Sequence, residues 1–501
     1  MTSATRTSNP AGPLRPRPFH FDGLAVGQAE RGTAPGSGDT GDMGPCDVLV
    51  VFDLSGTDPA TLAECLAGAG RRIGRDGVLL LAVPNRFGLR FWSGCPEPST
   101  GRLFTTLAGA GALAAPPSPA MEARRFVSRQ ELSEAIAHAG LSALEWFFAF
   151  LDEGEAGAIQ TLVSEQLVRA APGLAAELAS SRPSSDHLRP RLDLFPEALV
   201  YRELAHAGLF AEFASHFLVA ASARSAPAGS MIWPRLRPPA PEIGWHFAAG
   251  RREPVATVFA LAGSGISVSK RQIAPGATVE PGDFVWMAPE CAPLAPGEPL
   301  RLRLQEHLLA GGSERFQAEF AEFFAAIRER FGAGELLAEE ALDAILTNAV
   351  RDEQGFFRLF DLEWRARAGV PASWWILRNV FACIEMRGPG WPGVATGAAL
   401  YDRLCQSLGI SPCLAADLAR EAEFAAAVRR AQRSDLESEL AAALARPWPV
   451  PVALGLGTAE LRSTVELASA HEQLIAEYRK LEAWATDLDA RLRRGKDGLQ
   501  P

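Results

Sequence analysis

In the stretch LDAILTNAVRDEQGFFRLFDLEW, Asp343 is followed five residues later by Asn348, and Asp361 comes thirteen residues after that. A carboxylate can accept a proton, and carboxylates with an amide carbonyl offer the hard oxygen donors that magnesium takes. Upstream, Lys270 closes the run ISVSK and is the only lysine before Lys480 in a chain that otherwise uses arginine. Asn348 is one of just four asparagines. The same residues also fit a plain hairpin, with Asp343 as a cap, Asn348 in a turn and Asp361 at a strand end.

A second group lies earlier. Asp53 ends the apolar run DVLVVFDL, and Asn85-Arg86 follows GVLLLAV. Open α/β sheets bind ligands outside the carboxyl ends of their strands, so these three residues would face such a crevice. Asn supplies donors and an acceptor, and Arg is a fixed fork for a carboxylate or phosphate. The alternative is a loop Asn shaping its own turn beside an exposed Arg.

Other candidates are weaker. His138, His206, His216 and His307 are isolated, with no second ligand at metal spacing. No G-x-S-x-G nucleophile signature occurs. Trp364, Trp374 and Trp375 could stack a sugar, but burial in a core is the commoner fate of such residues. GAGRRIG, residues 68 to 74, ends a helical pattern rather than opening one, so it reads as a cap and turn and not as a dinucleotide fingerprint.

The elements that must position these residues alternate in type. DVLVVFDL and GVLLLAV read as buried strands flanking the helical DPATLAECLAGAGRRI, a βαβ unit with Asp58 as N-cap. SRQELSEAIAHAGL reads as a helix with a Ser128–Glu131 capping box, followed by the strand-like ALEWFFAFL. HFLVAAS is another strand, and ATVFALAGSGISVSKRQI reads as a hairpin turning at Gly263-Ser264-Gly265. SERFQAEFAEFFAAIRERFGAG reads as a helix capped by Ser313, with Phe316, Phe320, Phe323, Phe324, Ile327 and Phe331 on one apolar stripe.

At 501 residues the chain exceeds one hydrophobic core. The expected division is a flexible segment 1–45, an α/β domain 46–225, a Pro-rich linker 226–245, an α+β domain 246–446, a second linker 447–463 and a helix 464–494. In that last helix Leu467, Leu474, Leu481 and Leu488 recur every seven residues, suiting a coiled coil that self-associates, though a helix packed on its own domain fits equally. The net charge of −10 and the lack of a basic stripe speak against nucleic acid. No apolar run is long enough for a membrane span and no signal peptide is evident, so a cytoplasmic location is expected. Seven scattered cysteines with no C-x-x-C pair are read as small buried hydrophobes.

The order of DVLVVFDLSG, AGRRIGRDGVLLLAVPNRFGLRFWSG, RRFVSRQELSEAIAHAGL and LDLFPEALVYRELAHAGLFAEFASHFLV resembles the second half of a class I S-adenosylmethionine-dependent methyltransferase. More narrowly, it is similar to a bacterial group associated with surface-polysaccharide biosynthesis, through Asn85, Arg86, Gly88, Leu89 and Gly94. The resemblance covers residues 46 to about 222, and a weaker likeness continues through FDLEW to about 385. It implies a partial Rossmann-like sheet with Asp53, Asn85 and Arg86 beside S-adenosylmethionine, a sugar or glycan substrate, and a glycosyltransferase as partner. The first strand, Gly-rich turn and ribose-binding acid of that family would have to precede residue 47, where only some 45 residues stand, so the expectation is a degenerate member that has lost its cofactor site, a chain that begins at the wrong start, or a partner that supplies the missing half.

The D-x-x-x-x-N spacing with a following Asp resembles kinase-like phosphotransferases, including the aminoglycoside and choline kinase relatives. That resemblance implies ATP and Mg²⁺, with Asp343 as the base, Asn348 and Asp361 as metal ligands, and Lys270 on the phosphates. Three features depart from it: Ala341-Leu342 replaces the His or Arg expected before Asp343, no Gly-rich loop is evident, and the span from Lys270 to Asp343 is short for two kinase lobes. Methyl transfer is the leading expectation, phosphoryl transfer or nucleotide binding the second, and a non-catalytic scaffold the third.

Overall fold

A computed structural model describes residues 26–29, 46–52, 59–73, 76–95, 103–108, 126–152, 158–180, 194–223, 236–239, 241–248, 251–252, 254–273, 282–287, 291–310, 312–332, 334–384, 394–429 and 432–447. The strands are β1 (Val26–Ala29), β2 (Val48–Phe52), β3 (Val78–Pro84), β4 (Ser142–Asp152), β5 (Ala158–Ser164), β6 (His216–Ser222), β7 (Glu242–Ala248), β8 (Val255–Ala262) and β9 (Gly265–Gln272). With Ala292–Leu294 at the end, they form one ten-stranded mixed sheet in the order β1-β2-β3-β6-β4-β5-β7-β8-β9. The protein is therefore mixed α/β.

β2 and β3 pair in parallel around the crossover helix Pro59–Ile73. Both are apolar along their whole length because both faces of the sheet are covered there: Val48, Val50, Leu79 and Leu81 are all buried. From β3 onward every pairing, through β6, β4, β5, β7, β8 and β9, is antiparallel. The helix Arg129–His138 begins with the expected capping box, Ser128 Oγ accepting from Glu131 N–H and Glu131 accepting from Ser128 N–H. Gly263, with φ 61°, and Ser264 turn β8 into β9.

Three expectations about organisation change. Residues 1–45, expected to be flexible throughout, contain β1, which pairs in parallel with β2. The segment 226–245, read as a linker from its prolines, includes the start of β7, and Trp245 in it is buried against Phe147. The β5–β7 ladder then carries the sheet across the expected boundary without a break. Cys291 and Cys413 are exposed, whereas Cys65, Cys95, Cys383 and Cys405 are buried as read.

One core lines the sheet, joining Leu81, Phe148 and Phe217 from the first half with Phe259, Val268 and Leu302 from the second. Another surrounds the helices Ser313–Phe331 and Ala372–Ile384, where Phe316, Phe320, Phe323, Phe324 and Ile327 are buried and Phe331 is half-buried. Gly312, not Ser313, occupies the cap position of the first of these helices. Among the described residues no helix is long and apolar enough to cross a membrane. Asp53, Asp58 and the heptad region 464–494 lie outside the described residues.

Candidate functional site

The four residues of the Lys–Asp–Asn–Asp group come together although Lys270 and Asp361 lie 91 positions apart. Lys270 stands on β9, the third strand of the β7–β8–β9 meander, facing Thr257 on β8 in register and bonding its hydroxyl at 2.6 Å. Its side chain is 3% exposed, and its Nζ lies 2.8 Å from Asp361 Oδ2 and 3.4 Å from Glu363 Oε1. A lysine so buried needs carboxylates around it.

Local sequence places the carboxylates. A short 3₁₀ turn, Glu339–Asp343, and another, Leu346–Asn348, lead into the hairpin strands Ala349–Arg351 and Phe357–Leu359. Asp352 shapes the hairpin turn, its Oδ1 accepting the N–H groups of Gln354 and Phe356, and Gly355 takes a positive φ of 86°. Phe360 N–H then bonds Asn348 C=O at 3.0 Å, drawing Asp361 beside Asn348. Asn348 Nδ2 donates to Asp343 C=O at 2.9 Å, which leaves its Oδ1 as an acceptor. Glu363 N–H donates to Asp343 Oδ2 at 2.9 Å.

Asp361 is unusual on two counts. Its φ of 57° puts a non-glycine residue in the left-handed region, which costs on the order of 1–3 kcal/mol and is concentrated at ligand sites. Its Oδ1 is buried with no hydrogen-bond partner among the described residues, while Oδ2 faces Lys270. Burial drives the Asp361 carboxyl up to about 6 despite the Lys270 charge, with Glu363 and Asp343 adding to the rise. Burial opposes ionisation of Glu363 as well, but Lys270 and Arg251 outweigh it and hold that carboxyl below its ordinary value. Glu363 is accordingly saturated: Arg251 Nη1 at 2.5 Å and Lys270 on Oε1, and Trp286 Nε1 at 3.1 Å on Oε2.

Asp343 is buried, and burial together with the Glu363 charge raises its carboxyl. One oxygen holds Glu363 N–H and the other lies 3.8 Å from Arg378, which also pairs with Glu421. In this arrangement Asp343 anchors the Asp361–Glu363 segment. Glu363 and Arg251 were not singled out from sequence. Glu363 carries as a signal only its nearness to Asp361 in sequence, because the left-handed backbone at Asp361 breaks any strand alternation there. Arg251 carries none, because it approaches from 112 residues away.

The earlier group is placed differently. Asn85 is fully buried: Nδ2 donates to Glu212 C=O and Ala214 C=O, both at 2.8 Å, and Oδ1 accepts Phe87 N–H. It ties the turn after β3 to the chain entering β6. Arg86 bonds Thr106 C=O and Glu131, and its guanidinium lies over the Phe87 ring. Trp374 and Trp375 are core residues whose indoles donate to Glu421 and Ala344 C=O.

Magnesium characteristically takes one or two protein carboxylates, substrate phosphates and water. Asp361, with a buried oxygen that has no partner among the described residues, is the group here whose donor chemistry suits that requirement, and Asn348 Oδ1, on the preceding 3₁₀ turn, is a further acceptor. Among the described residues no three His, Cys, Asp or Glu side chains form a self-contained metal cluster. No family model matches the chain, and no curated protein matches it.

Proposed function

We propose that residues 242–429 form a kinase-like, magnesium-dependent nucleotide-binding centre. The observation that carries the reading is Asp361: left-handed backbone, one carboxylate oxygen on Lys270 and the other buried without a partner among the described residues. Strain and an orphaned acceptor are retained where a ligand repays them. Lys270, on the third strand of an antiparallel meander, would place its charge on a phosphate. Asp361 and Asn348 would hold the magnesium ion, which when bound neutralises phosphate charge. Phosphoryl transfer to a hydroxyl further requires a base within hydrogen-bond reach of the acceptor. Asp343 is committed to Glu363 N–H, so nucleotide binding is the part of the reading with the stronger support.

Titrating the full chain with ATP tests this, with and without magnesium. Saturable heat only with the metal, abolished by Asp361→Asn, is the expected outcome; equal binding by the variant would remove the reading.

A second reading keeps the first half as a Rossmann-like, methyltransferase-type unit of glycan biosynthesis, taking S-adenosylmethionine and a sugar and serving a glycosyltransferase in the cytoplasm. The parallel β2–β3 pair with Asn85-Arg86 at the carboxyl end of β3 favours it. The Asn85 amide is spent on internal hydrogen bonds, leaving Arg86 as the group of the pair nearer solvent. Saturable S-adenosylmethionine binding would support this reading, and its absence would leave the first half a scaffold for the second.

A further inference from the structure

Between β7 and β8 the sequence AGRREP is not glycine-rich, and its two described arginines, Arg251 and Arg252, have different commitments. Arg252 is anchored. Its N–H donates to Val428 C=O at 2.8 Å, and its Nε reaches Ala426 C=O at 2.8 Å and Arg429 C=O at 3.1 Å. These carbonyls end the helix Leu414–Val428, where a cation is favoured by the helix dipole. The adjacent Arg251 is bridged through its backbone to Arg429. With Arg252 and the Arg251 backbone both held against residues 426–429, the Arg251 side chain reaches Glu363.

Exposure then sorts the cluster. Lys270 and Glu363 are 3% and 4% exposed, whereas Asp361 is 14% and Arg251 26% exposed. Asp361 and Arg251 are therefore the more exposed anion and cation of the cluster, with the Asp361 Oδ1 itself buried just beneath that surface. Only Nη1 of the Arg251 guanidinium is engaged among the described residues, leaving a planar fork for a second acceptor.

We infer that Arg251 is the phosphate-contacting residue of the turn, taking by a charged side chain the role for which a glycine-rich loop uses backbone N–H groups, and that the ligand it recognises is a metal-bound polyphosphate of a nucleotide. This rests on the nucleotide-binding reading above. Glu363 acts as the resting counter-ion, holding Arg251 over the site until phosphate oxygens compete for the fork. Arg252 is the positioning residue that keeps the turn there.

The test is calorimetric titration of the full chain with Mg·ATP and, separately, with adenosine. Wild type, Arg251→Ala and Arg251→Lys are compared after thermal melts confirm that each is folded. A charge-assisted contact predicts that Arg251→Ala binds Mg·ATP about tenfold or more weakly and that Arg251→Lys recovers part of the loss. Adenosine binding should be unchanged in both variants. Wild-type binding of Mg·ATP with no change in Arg251→Ala would overturn the inference and leave the nucleotide-binding reading standing. An equal loss for adenosine would overturn it too, assigning Arg251 to the shape of the site. No binding of Mg·ATP by the wild type would overturn both.

Discussion

A buried lysine with two carboxylates is stable only as a set. Lys270→Met leaves Asp361 and Glu363 with Arg251 as their remaining cation, and removing one partner of such a pair typically costs about 3–5 kcal/mol. Urea denaturation should show a loss of that order, and a loss well under 1 kcal/mol would mean that the cluster is solvated. Asp361 makes the site pH-sensitive. Metal coordination needs the carboxylate, which titrates near 6, so cation-dependent nucleotide affinity should fall about tenfold from pH 7 to pH 5. The unliganded protein should show the opposite trend in this group's contribution to stability. Between the ordinary value of 3.8 and about 6, the folded chain keeps a proton on Asp361 that the unfolded chain has released. The group's contribution is therefore complete below 3.8 and is lost as pH rises through 6. Wild-type stability measured relative to Asp361→Asn should decline across that interval; a flat difference would contradict the burial of this carboxyl. Asp343, Asn348 and Asp361 could be found from sequence because one hairpin brings them together. Glu363 was two residues away and was overlooked, and Arg251 arrives through tertiary structure that no local pattern reports.

At the scale of elements, periodicity and capping were readable where they are set by neighbours in the chain. The Ser128–Glu131 box, the Gly263-Ser264 turn and the phenylalanine stripe all depend on contacts within a few residues. β1 was not readable, because VGQA is too short and too weakly apolar to signal a strand, and β2 supplies its hydrogen bonds. The stripe carries its own prediction. Phe320 lies between Phe316 and Trp375 and is fully buried, so Phe320→Ala should cost about 3–5 kcal/mol, whereas half-buried Phe331→Ala should cost much less. Equal losses in denaturant melts would show that the stripe is not the inner face of its helix. At the seam between the halves, Arg301 bonds Glu177 at 2.6 Å and Ser180 C=O and Oγ at 3.1 Å, all buried.

For the whole molecule, the proline-rich stretch suggested a boundary, but the ladder between β5 and β7 joins what the composition divides. Composition reports local chain preference, whereas strand pairing is decided by partners far away in sequence. A chain cut at an engineered protease site within residues 226–230 should elute as one species, held by that ladder and the Arg301 seam; separation of the fragments would restore the two-domain division. The continuous sheet also bears on function, since it ties the β7–β8–β9 meander carrying Lys270 to the rest of the fold. The central claim, that Lys270, Asn348 and Asp361 form a nucleotide and magnesium site, is tested most directly by calorimetry on the full chain with ATP, repeated without magnesium and with Asp361→Asn. The account predicts saturable binding that needs the metal and disappears in the variant. Binding that ignores both magnesium and the variant, or no binding at all, would contradict it.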